Sequence, residues 1–173
     1  MIIRHTGPNE LEQICQIYAC ARDRMRKGGN PSQWGNNRPS VPVLVRDIQN
    51  GCSYVITEKD KLCGVFSLII GTDPAYQVIQ QGSWLNEAPY GTIHRLAGNG
   101  SVKGIFSACL SYCLSQIPNI RIDTHRDNLI MQHLLTKNGF TRCGIVHVED
   151  GSERIAYQKS LPGYDDSVSL HSI

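Results

Sequence analysis

The chain is 173 residues long, 40% hydrophobic and 18% charged, with a formal net charge of +2. That length suits one core, in which folding hides roughly 70% of the surface an unfolded chain exposes, and the balance excludes a disordered or fibrous chain. No apolar run reaches the roughly 18 residues of a membrane helix, and no lysine or arginine run gives the footprint of a nucleic-acid surface, so neither membrane nor nucleic acid is an expected partner.

The opening Met1-Ile2-Ile3-Arg4-His5 lacks the apolar stretch and small-residue cleavage site of a secretory signal, which points to the cytoplasm. Cys15, Cys20, Cys52, Cys63, Cys109, Cys113 and Cys143 lie mostly in apolar segments and read as reduced core thiols. Cys109 and Cys113 share a helical spacing that would suit a metal, but no second pair with ligand spacing accompanies them, so no metal is expected.

Residues 2–5 read as a short strand. Asn9 then caps a helix whose apolar positions Leu11, Ile14, Tyr18 and Met25 follow a period near 3.6. The basic cluster from Arg22 to Lys27 suits that helix's C-terminal end, and Gly28-Gly29-Asn30-Pro31 stops it. A polar loop holding Trp34 runs to Pro39. Ser40 caps a short helix through Val43, Leu44 and Ile48, which Asn50-Gly51 ends. The period then changes: residues 52–57 and 62–70 are rich in β-branched and aromatic types, and 58–61 is a charged hairpin turn between them.

Residues 71–89 are a second irregular connection, containing Trp84 and Leu85. A strand follows over 90–97, then the turn Gly98-Asn99-Gly100-Ser101, then a helix from about Val102 to Gln116. After Pro118 come a brief strand over 120–123 and a helix capped by Asp127 or Asn128 and ended by Asn138-Gly139. Residues 141–148 and 152–159 form a hairpin turning at Glu149-Asp150-Gly151, and a polar tail runs from Leu161. Strand, helix, strand, helix over 90–138 implies parallel neighbours flanked by hairpins, hence a mixed, mostly antiparallel α/β sheet in a single domain over 1–160. A polar tail of this kind, where ordered, would pack against the body, a neighbouring subunit or a crystal neighbour, which leaves a homodimer open.

A strand entering a helix through a glycine-rich turn presents unused backbone N–H groups and the helix dipole to an anion. Glycines serve any tight turn as well, and neither a Walker nor a G-x-G-x-x-G spacing is present. The wording of residues 90–159 goes further, because it resembles the GNAT acetyltransferase family. Tyr90-Gly91-Thr92-Ile93-His94-Arg95-Leu96-Ala97 looks like that family's fourth strand. Ser101-Val102-Lys103-Gly104-Ile105-Phe106 is similar to its Q/R-x-x-G-x-G/A turn, with Ser101 and Phe106 standing where Q/R and G/A are usual. Asp127-Asn128 through Met131 to Asn138-Gly139-Phe140 resembles its second hallmark helix.

The resemblance implies the acyl-CoA N-acyltransferase fold, with a splayed parallel strand pair and helices on both faces, and acetyl-CoA as co-substrate. It implies that the backbone of Leu96, Ala97 and Gly98 bonds the pantetheine arm as a substitute strand. It further implies that the amides of Val102, Lys103, Gly104, Ile105 and Phe106 hold the pyrophosphate, with Asn128 and Met131 lining the wedge from the other side. Where many family members carry a tyrosine that protonates the departing thiolate, this chain has Leu135.

The expected reaction is direct attack of a primary amine, on a small molecule or a peptide, upon the thioester. His94, interrupting an apolar strand, is the first candidate base and Glu87 the second; a core histidine satisfied by its surroundings is the competing reading of His94. Asp123-Thr124-His125 reads as a strand end that orders Asn128, or as a catalytic dyad. Trp34, Trp84 and Tyr90 are candidates for the wall of the acceptor pocket, or for ordinary packing. An acyl-CoA-binding sensor without turnover is the alternative from another functional class.

Overall fold

The structure is a computed structural model and describes residues 1–164; the remainder of the expected tail lies outside the described residues. The chain divides into two compact units, Met1–Ile69 with Ile93–Tyr112, and Ile70–Thr92 with the residues from Cys113 on. The elements are β1 (Ile2–His5), α1 (Leu11–Lys27), α2 (Val41–Gln49), β2 (Ser53–Glu58), β3 (Lys61–Ile70), β4 (Gly91–Gly98), α3 (Ile105–Gln116), β5 (Asn119–Thr124), α4 (Leu129–Lys137), β6 (Thr141–His147) and β7 (Glu153–Ser160). The seven strands follow the order β1-β2-β3-β4-β5-β7-β6. β4 and β5 are the parallel pair, while β1–β2, β2–β3, β5–β7 and β6–β7 run antiparallel, so the sheet is of the mixed type expected.

In the first unit α1 turns Ile14, Ile17, Tyr18 and Ala21 inward at i, i+3, i+4 and i+7. They pack with Leu44 of α2, Ala97 of β4 and the register partners Val55 and Val65. The start of α1 differs from expectation. Pro8 opens a 3-10 turn over Pro8–Glu10 that takes in Asn9, and the Glu10 carboxylate accepts the Gly7 N–H at 2.7 Å while holding Arg4 at 2.6 Å. The β2–β3 turn sits where the charge pattern put it, with Lys59 and Asp60 at φ 48° and 61°, the left-handed pair that a two-residue hairpin requires.

In the second unit β5, β7 and β6 surround a cluster of Tyr76, Trp84, Tyr90, Cys143, Val146 and Ala156. The connection over 71–90 is irregular, as expected, yet firmly held. Fully buried Asn119 donates to Asn86 Oδ1 at 2.9 Å and accepts from Gln158 Nε2 at 2.8 Å, while Gln158 Oε1 accepts the Leu85 N–H at 2.8 Å. The two buried amides thus satisfy backbone that no ladder serves. At Gly82 the chain passes so near Cys143 that an added Cβ would lie 2.0 Å from its carbonyl oxygen.

None of the seven cysteines forms a disulfide, and Cys63, Cys109, Cys113 and Cys143 are buried. Cys20 corrects the core-thiol expectation: it falls off the inward stripe of α1 and is exposed. No helix among the described residues is long and apolar enough to cross a membrane.

Candidate functional site

The first unit carries β4 from Ile93 on, with the turn and helix start singled out in the sequence. Along β4, Ile93 and Ala97 are buried while His94, Arg95, Leu96 and Gly98 are half-buried. Arg95 breaks the strand's regularity with φ 55°, a left-handed conformation that a residue with a Cβ holds only when its surroundings over-determine it. Three contacts do so. The guanidinium Nη2 and Nε lie 2.6 and 2.8 Å from Asp47 Oδ2, and the Arg95 carbonyl accepts from Tyr18 Oη at 2.9 Å. Asp47 is buried on α2 and also accepts from Ser67 Oγ at 2.7 Å.

Past Gly98, Asn99 ties the turn down. Its N–H donates to Cys63 O at 3.0 Å, and its side-chain oxygen accepts from Ser101 N at 2.9 Å. Gly104 then adopts φ 85°, which no helical residue can, so α3 starts at Ile105 and not near Val102. The Gly104 carbonyl accepts the Ala108 N–H at 3.0 Å. The N–H groups of Ile105, Phe106 and Ser107 precede the first N–H with an intrahelical acceptor, that of Ala108, and point out of the helix start. Phe106 is 6% exposed, so the ring that replaces the usual small residue is taken up in the interior.

The second unit carries α4. Asn128 caps it, with Oδ1 accepting the Met131 N–H at 3.1 Å, and its own N–H donates to His125 O at 2.9 Å. Met131 is half-buried and Leu135 fully buried, so at the tyrosine position of the resembled family stands a core side chain with no proton to give. His125 Nδ1 accepts the Asp127 N–H at 3.2 Å, in keeping with a strand end that orders the α4 cap.

The candidate pocket and base residues are distributed as follows. Trp34 belongs to the first unit and sets its ring edge-on to Tyr18 at 5.6 Å. Trp84 and Tyr90 belong to the second, where they close on the buried Arg121, whose guanidinium carbon lies 4.2 Å from one ring centroid and 3.9 Å from the other. Burial pushes the Arg121 pKa down from its ordinary value, and the two ring faces with the Asn86 carbonyl, 2.8 Å from Nη2, offset its desolvation. His94 belongs to the first unit. Glu87 belongs to the second, is 84% exposed and lies 4.0 Å from Arg121 Nη2.

Burial raises the thiols of Cys52, Cys63 and Cys143 above the usual cysteine range, which disfavours the thiolate a cysteine nucleophile needs. No group of three or more His, Cys, Asp or Glu among the described residues is placed to hold a metal ion.

Arg121, Asp47 and Arg95 were not read as site residues. Their signal was present as single charges inside apolar patterns, Ile120-Arg121-Ile122 in a strand and Leu44-x-x-Asp47-Ile48 on a helix stripe.

A mixed sheet with one parallel pair, a kinked strand and a glycine-opened helix defines the acyl-CoA N-acyltransferase class of fold. Comparison with solved structures agrees. A GNAT-family acetyltransferase from Streptococcus agalactiae superposes with a TM-score of 0.84 and 33% identity, over 92% of this chain and 95% of that one. On that similarity the chain belongs to the GNAT family of acetyltransferases, and acyl transfer from coenzyme A in general is the chemistry this membership supports. A GNAT-family acetyltransferase from Listeria monocytogenes, 18% identical over 92% of this chain and 94% of that one, has a TM-score of 0.65. A GNAT-like decarboxylase in complex with isobutyryl-CoA, 14% identical over 92% and 99%, has a TM-score of 0.64; both share the fold. No protein-family model matches the chain, and no curated protein gives a significant match.

Proposed function

We propose that residues 1–160 act as a single domain that moves an acetyl group from acetyl-CoA to a primary amine by direct attack. The observation that carries this reading is the junction of β4 with α3. A strand held out of regular geometry at Arg95 leads into a turn tied by Asn99, and a glycine at φ 85° frees the N–H groups of the first turn of α3. In this reading the backbone of Leu96, Ala97 and Gly98 bonds the pantetheine arm, and the amides from Val102 to Phe106 receive the pyrophosphate. Asn128 and Met131 supply further contacts to the coenzyme. Backbone donors keep this role whatever the side chain, and the buried ring of Phe106 supports it.

The chemistry divides unequally between the two partners. A coenzyme A thiol resembles cysteine, with a pKa of about 8.5, so its thiolate leaves tolerably well without a tyrosine in the place of Leu135. A lysine-like ammonium with a pKa of about 10.4 is neutral only about once in 2,500 molecules at pH 7, roughly 4.6 kcal/mol from its nucleophilic form. Deprotonation is therefore the step that needs a side chain, and His94 takes it, directly or through water, with Glu87 as the second candidate. The neutral nitrogen attacks the thioester carbon, the carbon–sulfur bond breaks with the sulfur leaving as thiolate, and the second proton, shed by the nitrogen as the amide forms, passes to that thiolate, the base having taken the first. The raised thiols support transfer without a cysteine intermediate. The acceptor is an amine on a small molecule or a peptide.

A second reading, an acyl-CoA-binding module without turnover, draws on the buried Leu135. Acetyl transfer, corrected for thioester hydrolysis, to a panel of amines, amino acids and peptide N-termini separates the two. Transfer to one class of amine supports the enzyme; coenzyme binding with no transfer across the panel supports the binding module.

A further inference from the structure

Where β5 ends and β7 begins, within the second unit, a cleft of about 430 Å³ opens. His125 and Arg126 from the link between β5 and α4, Arg142 of β6 and Arg154 of β7 line it, beside the register partners Ile145 and Ile155. Arg154 is a fixed cation: it is 6% exposed, and its Nη1 donates to Ser152 Oγ at 2.8 Å and to Glu153 O at 3.0 Å. Its Nε lies 3.8 Å from Asp123 Oδ1, a carboxylate that already accepts from Tyr76 Oη at 2.8 Å. Arg126 and Arg142 are exposed and make no ion pair among the described residues. One acidic side chain lines the cleft, Glu153, 63% exposed and 3.9 Å from His147 Nε2.

Arg126, Arg142 and Arg154 thus line one concave space whose own lining holds a single, largely solvated carboxylate, Glu153, while Asp123 lies beside Arg154 and Asp127 beside His125. Like charges gathered in a cleft repel, and an anion between them converts that repulsion into attraction. Guanidinium is also the side chain whose planar fork matches phosphate and carboxylate oxygens. We infer that this cleft is an anion-binding subsite for a phosphate or carboxylate group. Two sources carry that chemistry: the 3′-phosphate of coenzyme A, or a carboxylate or phosphate on the acceptor amine. The subsite stands on the cleft alone; the choice of source rests on the acyl-transfer reading.

The test uses the full chain and the double variant Arg126→Gln/Arg142→Gln, both positions being exposed, with a thermal melt to confirm folding. Calorimetric titration with inorganic pyrophosphate is expected to give roughly 10-fold weaker binding in the variant, the loss of about one charge-assisted contact. If the 3′-phosphate is the source, the variant also loses roughly 10-fold in affinity for coenzyme A while binding 3′-dephospho-CoA as wild type does. If the acceptor is the source, both coenzymes bind the two proteins alike and KM rises roughly 10-fold for anionic amines only. Equal pyrophosphate affinities in folded wild type and variant, with neither coenzyme nor anionic amine affected, would overturn the subsite. Pyrophosphate binding that depends on the two arginines, in a protein that does not bind coenzyme A, would keep the subsite and reject the transferase reading.

Discussion

Asp47 holds Arg95 through a single carboxylate oxygen, Oδ2, which lies 2.6 Å from Nη2 and 2.8 Å from Nε and also accepts from Ser67 Oγ at 2.7 Å. The pair joins α2 to the one left-handed residue of β4. Asp47→Ala leaves a largely buried guanidinium and a buried hydroxyl without their acceptor, a class of change that costs about 3 kcal/mol. Urea denaturation is expected to show a loss of that order, with Asp47→Asn milder. Because the pair also sets the backbone ahead of Leu96, coenzyme affinity in folded Asp47→Asn is expected to fall as well.

The Arg121 guanidinium lies over the rings of both Trp84 and Tyr90. Trp84→Leu removes one of these rings and some of the apolar packing, and the expected loss is about 2–3 kcal/mol of stability by chemical denaturation. If Trp84 serves packing alone, relative rates across an amine panel stay unchanged below the melting temperature; if it walls the acceptor pocket, they shift.

Glu10 offers a prediction in pH. Its hydrogen bond with Arg4, together with the Gly7 N–H, holds its folded pKa below the usual carboxylate range despite partial burial. A depressed folded pKa means that the unfolded chain binds the proton first, so the contribution is complete above the unfolded value of about 4.3 and is lost as pH falls through the folded one. Stability measured from pH 7 down to pH 3 is expected to decline less steeply in Glu10→Gln than in wild type.

His94, as proposed base, ought to affect turnover and spare binding. His94→Ala is expected to lower kcat by about 100-fold or more at neutral pH, with acetyl-CoA affinity within about 2-fold of wild type, and raising the pH recovers part of the rate as more amine becomes neutral. A kcat unchanged in this variant removes His94 from the base role and moves the test to Glu87.

Most elements were legible because local physics settled them. The inward stripe of α1, the charged turn over 58–61 and a cap at Asp127 or Asn128 each depend on neighbours within a few residues. The start of α3 was misplaced because the run Val102-Lys103-Gly104 is compatible with a helix on composition, and only the positive φ of Gly104 excludes it. The role of Glu10 was hidden because its partner Arg4 lies on another element. The hold on 71–90 was hidden for the same reason: Asn119 and Gln158 read as ordinary polar residues until the sheet pairs β5 with β7. Of the candidate site, the strand, turn and helix order could be read directly, whereas the kink at Arg95 depends on Asp47, 48 residues away.

The central claim is that the β4–α3 junction receives an acyl-CoA, and calorimetric titration with acetyl-CoA tests it most directly. Wild type is compared with Gly104→Glu, which places a carboxylate among the proposed pyrophosphate donors, and with Gly104→Ala, which imposes the same strain at φ 85° without the charge. The account predicts binding to wild type, weaker or equal binding to Gly104→Ala, and loss of binding in a Gly104→Glu protein that remains folded. Absence of binding to wild type, or equal binding to wild type and Gly104→Glu, would contradict it.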